Sequence, residues 1–284
     1  MFTQMSRFQA QRQLRSQIPL TEDQIRQAAP SVFAAEAHDS RSSRYTYIPT
    51  SDILTGLRAQ GFEVFSAAQA RCRSEDRREH TKHLLRLRHV GEAGRVAKLN
   101  DSHTEICLLN SHDGTSSYQM FAGVFRLVCL NGMMVCDSTV GAVKVPHTGK
   151  VQDRVIAGAF EILDGCTRIV ESQETMRSLT LDRDEQALFA KTALSLRYDE
   201  DTQHTPIEAD QLLRPRRMAD NTPDLWATFN RVQENMVKGG VSGRNANNRP
   251  TTTREIRGID QNVKINKALW ALAEGMAALK AGKA

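Results

Sequence analysis

Residues 106–137 read ICLLNSHDGTSSYQMFAGVFRLVCLNGMMVCD. Apolar runs of strand length alternate here with two polar turns. The first turn is Asn110-Ser111-His112-Asp113-Gly114-Thr115-Ser116. The second is Asn131-Gly132, a pair suited to the positive φ values that a two-residue hairpin turn demands. Strands joined by turns this short are antiparallel neighbours, because a parallel pair needs a crossover of a dozen residues or more.

Outward from this stretch the same pattern continues. His80 to His89 alternates cleanly, with His80, Lys82, Leu84, Arg86 and Arg88 on one face and Thr81, His83, Leu85, Leu87 and His89 on the other. The second set reads as core and the first as an outward basic ladder. Further strands are expected at Tyr45–Ile48, Phe62–Arg73 and roughly 104–110, 117–130 and 133–145. Two short helices flank the first of these, one capped by Thr21 and ending before Pro30, one capped by Ser51 and stopped at Gly61. From Val151 to Leu179 the apolar spacing changes to that of a long amphipathic helix, with a break expected near Gly165. Later helices are signalled by Asp182 with Glu185, by Thr205-Pro206, by Thr222-Pro223 up to Gly239-Gly240, and by Asp260.

Strands and helices segregate along the chain, so the expected class is α+β. It comprises an antiparallel β-rich N-terminal half with a long packing helix, then a helical C-terminal part. The organisation reads as a flexible basic arm over 1–18, an α+β core domain over 19–180 and a helical region over 181–238. A mobile basic linker over 239–257 and a C-terminal helix over 258–284 follow. The linker, GGVSGRNANNRPTTTR from Gly239, has almost no apolar residue with which to offset its ordering entropy.

The five cysteines form no CxxC pair and mostly lie in apolar runs. That usage implies a reduced, cytoplasmic protein without a disulfide framework or a zinc-thiolate site. The N-terminus lacks the apolar region of a signal peptide. No apolar run approaches the length of a membrane span, so no membrane association is expected.

Net charge is +5, but its placement says more. Arg71 to Lys98 carries nine basic residues against four acidic ones, and Lys238 to Lys267 carries seven against two. Each segment alone equals the charge of the whole chain, so the remainder is acidic and the molecule is polarised. That pattern points to a polyanionic partner. The candidate nucleic-acid-binding residues are Lys82, Arg86 and Arg88 on the ladder, and Arg244, Arg249, Arg254 and Arg257 in the linker. Tyr45, Tyr47 and Tyr118 are the candidate base-stacking rings, whereas the helical spacing around Trp226 and Trp270 reads as core.

His112-Asp113 is the candidate catalytic pair, able to orient a base or ligate a metal. The same residues also make an ordinary capped turn. His80 and His83 fall on opposite strand faces, so their spacing is no metal motif. No H-E-x-x-H, P-loop, nucleophile elbow or dinucleotide fingerprint occurs, and GGVSG does not follow a strand. The motifs call for no cofactor and no metal.

NSHDGTSSYQM from Asn110, FRLVCLNG from Phe125 and RGIDQNVKINKALW from Arg257 resemble the YubP, YfjQ and YafZ family of bacterial conjugative plasmids and prophages. The resemblance runs from around Pro30 to near Leu279 and implies work on mobile-element DNA. The order of strands and long helix over 62–179 is also similar to the core of Rad52-type annealing proteins, which implies a ring with a basic groove and no catalytic residue. Single-stranded DNA binding and annealing in plasmid or prophage recombination or maintenance is therefore the leading expectation, with a homo-oligomer as the working form. Duplex DNA and RNA offer the same phosphate chemistry. The alternatives are a metal-dependent nuclease or phosphoesterase built on His112 and Asp113, and an anti-defence protein that binds a host protein.

Overall fold

The computed structural model describes residues 13–36, 47, 49–72, 77–91, 98–99, 102–126, 132–134, 143–145, 151–198 and 204–282. The fold is α+β, as its sequence pattern demands. The strands are β1 (Gln13–Arg15), β2 (Phe62–Gln69), β3 (His83–His89), β4 (Lys98–Leu99), β5 (Ser102–Asn110), β6 (Tyr118–Arg126), β7 (Gly132–Met134) and β8 (Val143–Val145). They pair in the order β1-β2-β3-β5-β6-β7, with β4 also on β5 and β8 also on β6. Registers fix the faces: His83 lies opposite Asn110, Leu85 opposite Leu108 and Leu87 opposite Ile106. The run expected as one strand over 133–145 contains two short strands, β7 and β8, set on different parts of β6. Tyr45, Thr46 and Ile48 of the strand expected before Pro49, and Asn131 of the expected hairpin turn, lie outside the described residues.

The helices are α1 (Glu22–Ala28), α2 (Thr50–Ala59), α3 (Val151–Ser178), α4 (Arg183–Ser195), α5 (Leu225–Lys238) and α6 (Ile259–Ala281). Thr21 and Gln24 close a capping box on α1, and Asp182 and Glu185 close one on α4, so two orphan donors are satisfied at each start. Asp224 caps α5 by accepting from the Ala227 amide, and the chain leaves that helix through Gly239 at φ 66°. Four expectations are corrected. Pro49, not Ser51, precedes α2, and Ser51 is the second residue of that helix. The long helix α3 runs through Gly165 without a break. Thr205-Pro206 leads into a single 3-10 turn at Ala209–Leu213, because that segment has no apolar face long enough for an α-helix. Gly258, not Asp260, precedes α6, and Asp260 sits in its first turn, where an acid complements the helix dipole.

Within 1–18, read as a flexible arm, Gln13–Arg15 pair with Ser66–Ala68 of β2. Within 239–257, read as a mobile linker, β9 (Ser242–Arg244) and β10 (Pro250–Thr252) form an antiparallel hairpin. No helix among the described residues is long and apolar enough to cross a membrane.

The chain divides into two compact units. One comprises residues 1–95, 105–120 and 142–162. Its core gathers Ile53, Leu54 and Leu57 of α2 with Phe62, Val64, Leu85, Leu87 and Leu108 of the sheet. The other comprises 96–104, 121–141 and 163–284. It buries Phe189, Phe229, Trp226, Trp270 and Leu269, and the two tryptophan rings meet edge to face at 6.5 Å. Both tryptophans are thus core, as their helical spacing predicts.

Candidate functional site

In the first unit a polar cluster is sealed inside the apolar core. Its centre is the Thr50 hydroxyl, on the first residue of α2. His83 Nε2 lies 3.0 Å from Thr50 Oγ1, His112 Nε2 3.3 Å and the Tyr118 hydroxyl 3.4 Å, while Asn110 Nδ2 donates to the same oxygen at 3.0 Å. A hydroxyl offers one donor and two acceptor sites, so four neighbours compete for three places. The other nitrogen of His83, Nδ1, is 2.9 Å from Ser31 Oγ. Ser31 in turn gives its amide to Gln69 Oε1 at 2.9 Å.

Burial, then the neighbouring His112, pull the pKa of His83 down to about 3, so its ring is neutral at physiological pH. A hydroxyl–imidazole–hydroxyl chain is chemically the start of an activated nucleophile. Yet Ser31, Thr50, His83, Asn110, His112 and Tyr118 are all shut off from solvent. The arrangement fastens five sheet and helix segments together through shared protons.

His112 and Asp113 face different partners. The backbone amides of both donate to the His80 carbonyl, which holds the turn down. From there His112 points into the sealed cluster, while the Asp113 carboxylate accepts from Thr115 Oγ1 at 2.6 Å and from the Thr115 amide at 3.0 Å. Burial alone would raise the Asp113 pKa, but the Thr115 and Ser111 hydrogen bonds outweigh it and hold the carboxyl below its ordinary range. This is the capped-turn reading of NSHDG, with Gly114 at φ 76°. Among the described residues no three His, Cys, Asp or Glu side chains gather in a way that could hold a metal ion.

The basic ladder on β3 is corrected as an open surface. Arg86 is only 7% exposed. Its Nε lies 2.5 Å from Glu105 Oε2, and Arg88 Nε lies 2.6 Å from Glu105 Oε1. Alternation marks two faces of a strand but not which one is wet. Here β3 is flanked by β2 and β5, and Glu105 of β5 takes both guanidinium groups. Leu84, assigned to the outer face, is buried as well, and Lys82 is half-buried. Of the stacking candidates, Tyr118 is buried in the cluster, Tyr47 packs its ring edge-on to His112 and Tyr45 lies outside the described residues.

The linker arginines behave differently. Arg244, Arg249, Arg254 and Arg257 are all exposed, on or just after the β9–β10 hairpin of the second unit. Arg257 pairs with Glu255 at 2.8 Å, whereas Arg244, Arg249 and Arg254 make no ion pair with any described residue. No acid occurs between Gly239 and Arg254. The hairpin base is fixed. The Arg244 amide donates to the Pro206 carbonyl at 2.8 Å, and Gln211 Nε2 donates to the Ser242 carbonyl at 2.8 Å. Arg197 reaches both the Met236 and Arg254 carbonyls. Three side chains that the sequence did not single out, Asn245, Asn247 and Asn248, form the tip. The repeated amides in RNANNR were the available signal.

The family model "Domain of unknown function (DUF932)" matches residues 37–270. The chain is similar to UPF0380 protein YfjQ of Escherichia coli (strain K12), 50% identical over 269 residues that cover 95% of this chain and 96% of the relative. It is also similar to UPF0380 protein YafZ of the same strain, 49% identical over 271 residues with the same coverage. No solved structure matches.

Proposed function

Because the chain belongs to the DUF932 family, whose description names no activity, we propose its function from its own surface: a nucleic-acid-binding protein that holds single-stranded DNA by its phosphates and anneals it to a complement. The observation that carries this is the fixed, acid-free hairpin with Arg244, Arg249 and Arg254 exposed and outside any ion pair with the described residues. Exposed guanidinium groups outside ion pairs attract a polyanion over several ångströms and release its counterions on contact.

A second feature favours annealing over sequestration. Among the side chains described, no Phe, Tyr or Trp is exposed. Over the described surface, bases then meet no exposed ring and stay open to a complementary strand. The work is cytoplasmic, in recombination or maintenance of plasmid or prophage DNA, and a homo-oligomer lines up the hairpins of several copies along one strand. Annealing on a charged surface needs no bond-making residue, in keeping with the sealed position of His112.

Fluorescence polarisation with a labelled single strand tests the reading. Phosphate contacts by Arg244, Arg249, Arg254 and Arg257 give a log–log salt slope of about −3, at roughly 0.7 per phosphate. Arg244→Glu with Arg249→Glu should cost at least an order of magnitude in affinity at low salt, a loss that shrinks as screening increases. Affinity without salt dependence, or unchanged by these reversals, would reject the proposal.

A further inference from the structure

The tip of the hairpin is built differently from a loop that merely carries charge. Asn245 Oδ1 accepts the Asn247 and Arg249 amides, each at 3.0 Å. The Asn248 amide donates to the Asn245 carbonyl at 2.8 Å, and Arg244 Nη1 donates to the Asn248 carbonyl at 2.9 Å. Asn248 takes the left-handed conformation at φ 57°, which Asn tolerates better than most residues. One amide side chain and one guanidinium thus staple the tip into a single shape.

That stapling leaves a distinct set of groups facing out. The side chains of Asn247, Asn248 and Arg249 are exposed and make no hydrogen bond to any described residue. A side-chain amide matches the N6–H and N7 of adenine in two parallel hydrogen bonds, and a guanidinium matches O6 and N7 of guanine. Both patterns are displayed in the major groove of a duplex. Phosphate attraction alone asks only for cations, and the left-handed turn accounts for Asn248 but not for the exposed amide of Asn247 beside it.

The size fits as well. Strands of a ribbon lie about 4.8 Å apart, and the major groove of B-form DNA is about 12 Å wide and admits a two-stranded ribbon. The base of the hairpin is held by Pro206, Gln211, Thr253 and Arg197, so little ordering entropy remains to be lost on insertion.

We infer that the β9–β10 hairpin enters the major groove of duplex DNA and reads purine N7 edges through Asn247, Asn248 and Arg249. The inference rests on the nucleic-acid reading above and extends it to the annealed product: the protein holds the duplex it forms by a contact that single strands do not present in a fixed geometry.

The test uses the full chain with three labelled probes. One is a mixed-sequence duplex of about 30 base pairs, long enough for several turns of a groove of this kind. Another is the same duplex with 7-deazapurines, which remove the N7 acceptor and keep Watson–Crick pairing. The last is one component single strand. The wild-type protein should bind the ordinary duplex at least about five-fold more tightly than the deaza duplex, the lower end expected for loss of one good base contact. Asn247→Ala with Asn248→Gly, a pair compatible with the left-handed position, should lower that ratio to what Arg249 alone supplies. Equal wild-type affinity for the two duplexes overturns groove reading while leaving single-strand binding intact. An undiminished ratio in the double variant overturns the tip as the reader. Failure to bind any of the three probes sinks the proposed function itself.

Discussion

Arg86 Nε lies 2.5 Å from Glu105 Oε2 across the β3–β5 pair, and both side chains are buried. Glu105 also holds Arg88, so one carboxylate bridges both arginines of the strand. Removing one partner of a buried ion pair leaves the other uncompensated, at a cost of about 3–5 kcal/mol. Glu105→Gln should therefore lower unfolding stability by about that amount in urea titrations. Arg254→Ala, at an exposed position without an ion pair to any described residue, should change it by less than about 0.5 kcal/mol. Similar small effects for both would mean that Glu105 does not anchor the sheet.

Acid should weaken the first unit through His83. Its pKa is about 3 in the folded chain against about 6.5 when unfolded, so between those values the unfolded state binds one more proton. The stabilisation is complete above pH 6.5 and falls by about 1.4 kcal/mol per pH unit as pH drops below it. Because carboxylates titrate near the lower end, the useful comparison is between wild type and His83→Gln over about pH 4.5–6.5. The wild-type stability should show the extra slope, and the variant should lack it. Parallel pH profiles would contradict a neutral, sealed His83.

The sheet and most helices were legible because local chemistry and tertiary packing agree there. Thr21, Asp182 and the Gly239 turn are each specified by a single side chain or by the absence of one. The alternation over residues 83–89 sorts the side chains of β3 into two faces but misassigns one of them as open surface. It could not name Glu105 as the partner, since cross-strand ion pairs depend on register, which the sequence states only indirectly. The Thr50 cluster was hidden for the same reason. Ser31, Thr50, His83, Asn110 and Tyr118 come from separate segments, and only His112 looked unusual, for sitting in a polar turn. The hairpin at 242–252 reads in sequence as part of a mobile linker because it has almost no apolar residue. Hydrogen bonds to Pro206 and Gln211 supply what burial does not.

Thr50→Val keeps the shape of the side chain and deletes the hydroxyl. His83, Asn110, His112 and Tyr118 would then all lose a shared partner inside the core. A single unsatisfied buried group costs about 1–3 kcal/mol, so the variant should lose at least about 2 kcal/mol. Thr50→Ser restores the hydroxyl and should recover most of the loss, which chemical denaturation would measure. Equal stability of the valine and serine variants would show that the hydroxyl is not the hub of the cluster.

Gly243 couples the hairpin to the rest of the second unit through its lack of a side chain. A Cβ at this position would stand 1.9 Å from the Pro206 carbonyl oxygen, a backbone atom that cannot swing aside as a flexible side chain could. Gly243→Ala should therefore push β9 away from Pro206 and break the Arg244 amide hydrogen bond to the Pro206 carbonyl. Hydrogen exchange at the Arg244 amide should accelerate by at least an order of magnitude, and proteolysis over residues 245–249 should increase, because the tip loses its fixed base. DNA affinity should fall with it even though every arginine is retained. An alanine variant with wild-type exchange and a lower affinity would place the loss elsewhere, and one with fast exchange and full affinity would show that the arginines act without the hairpin's fixed shape.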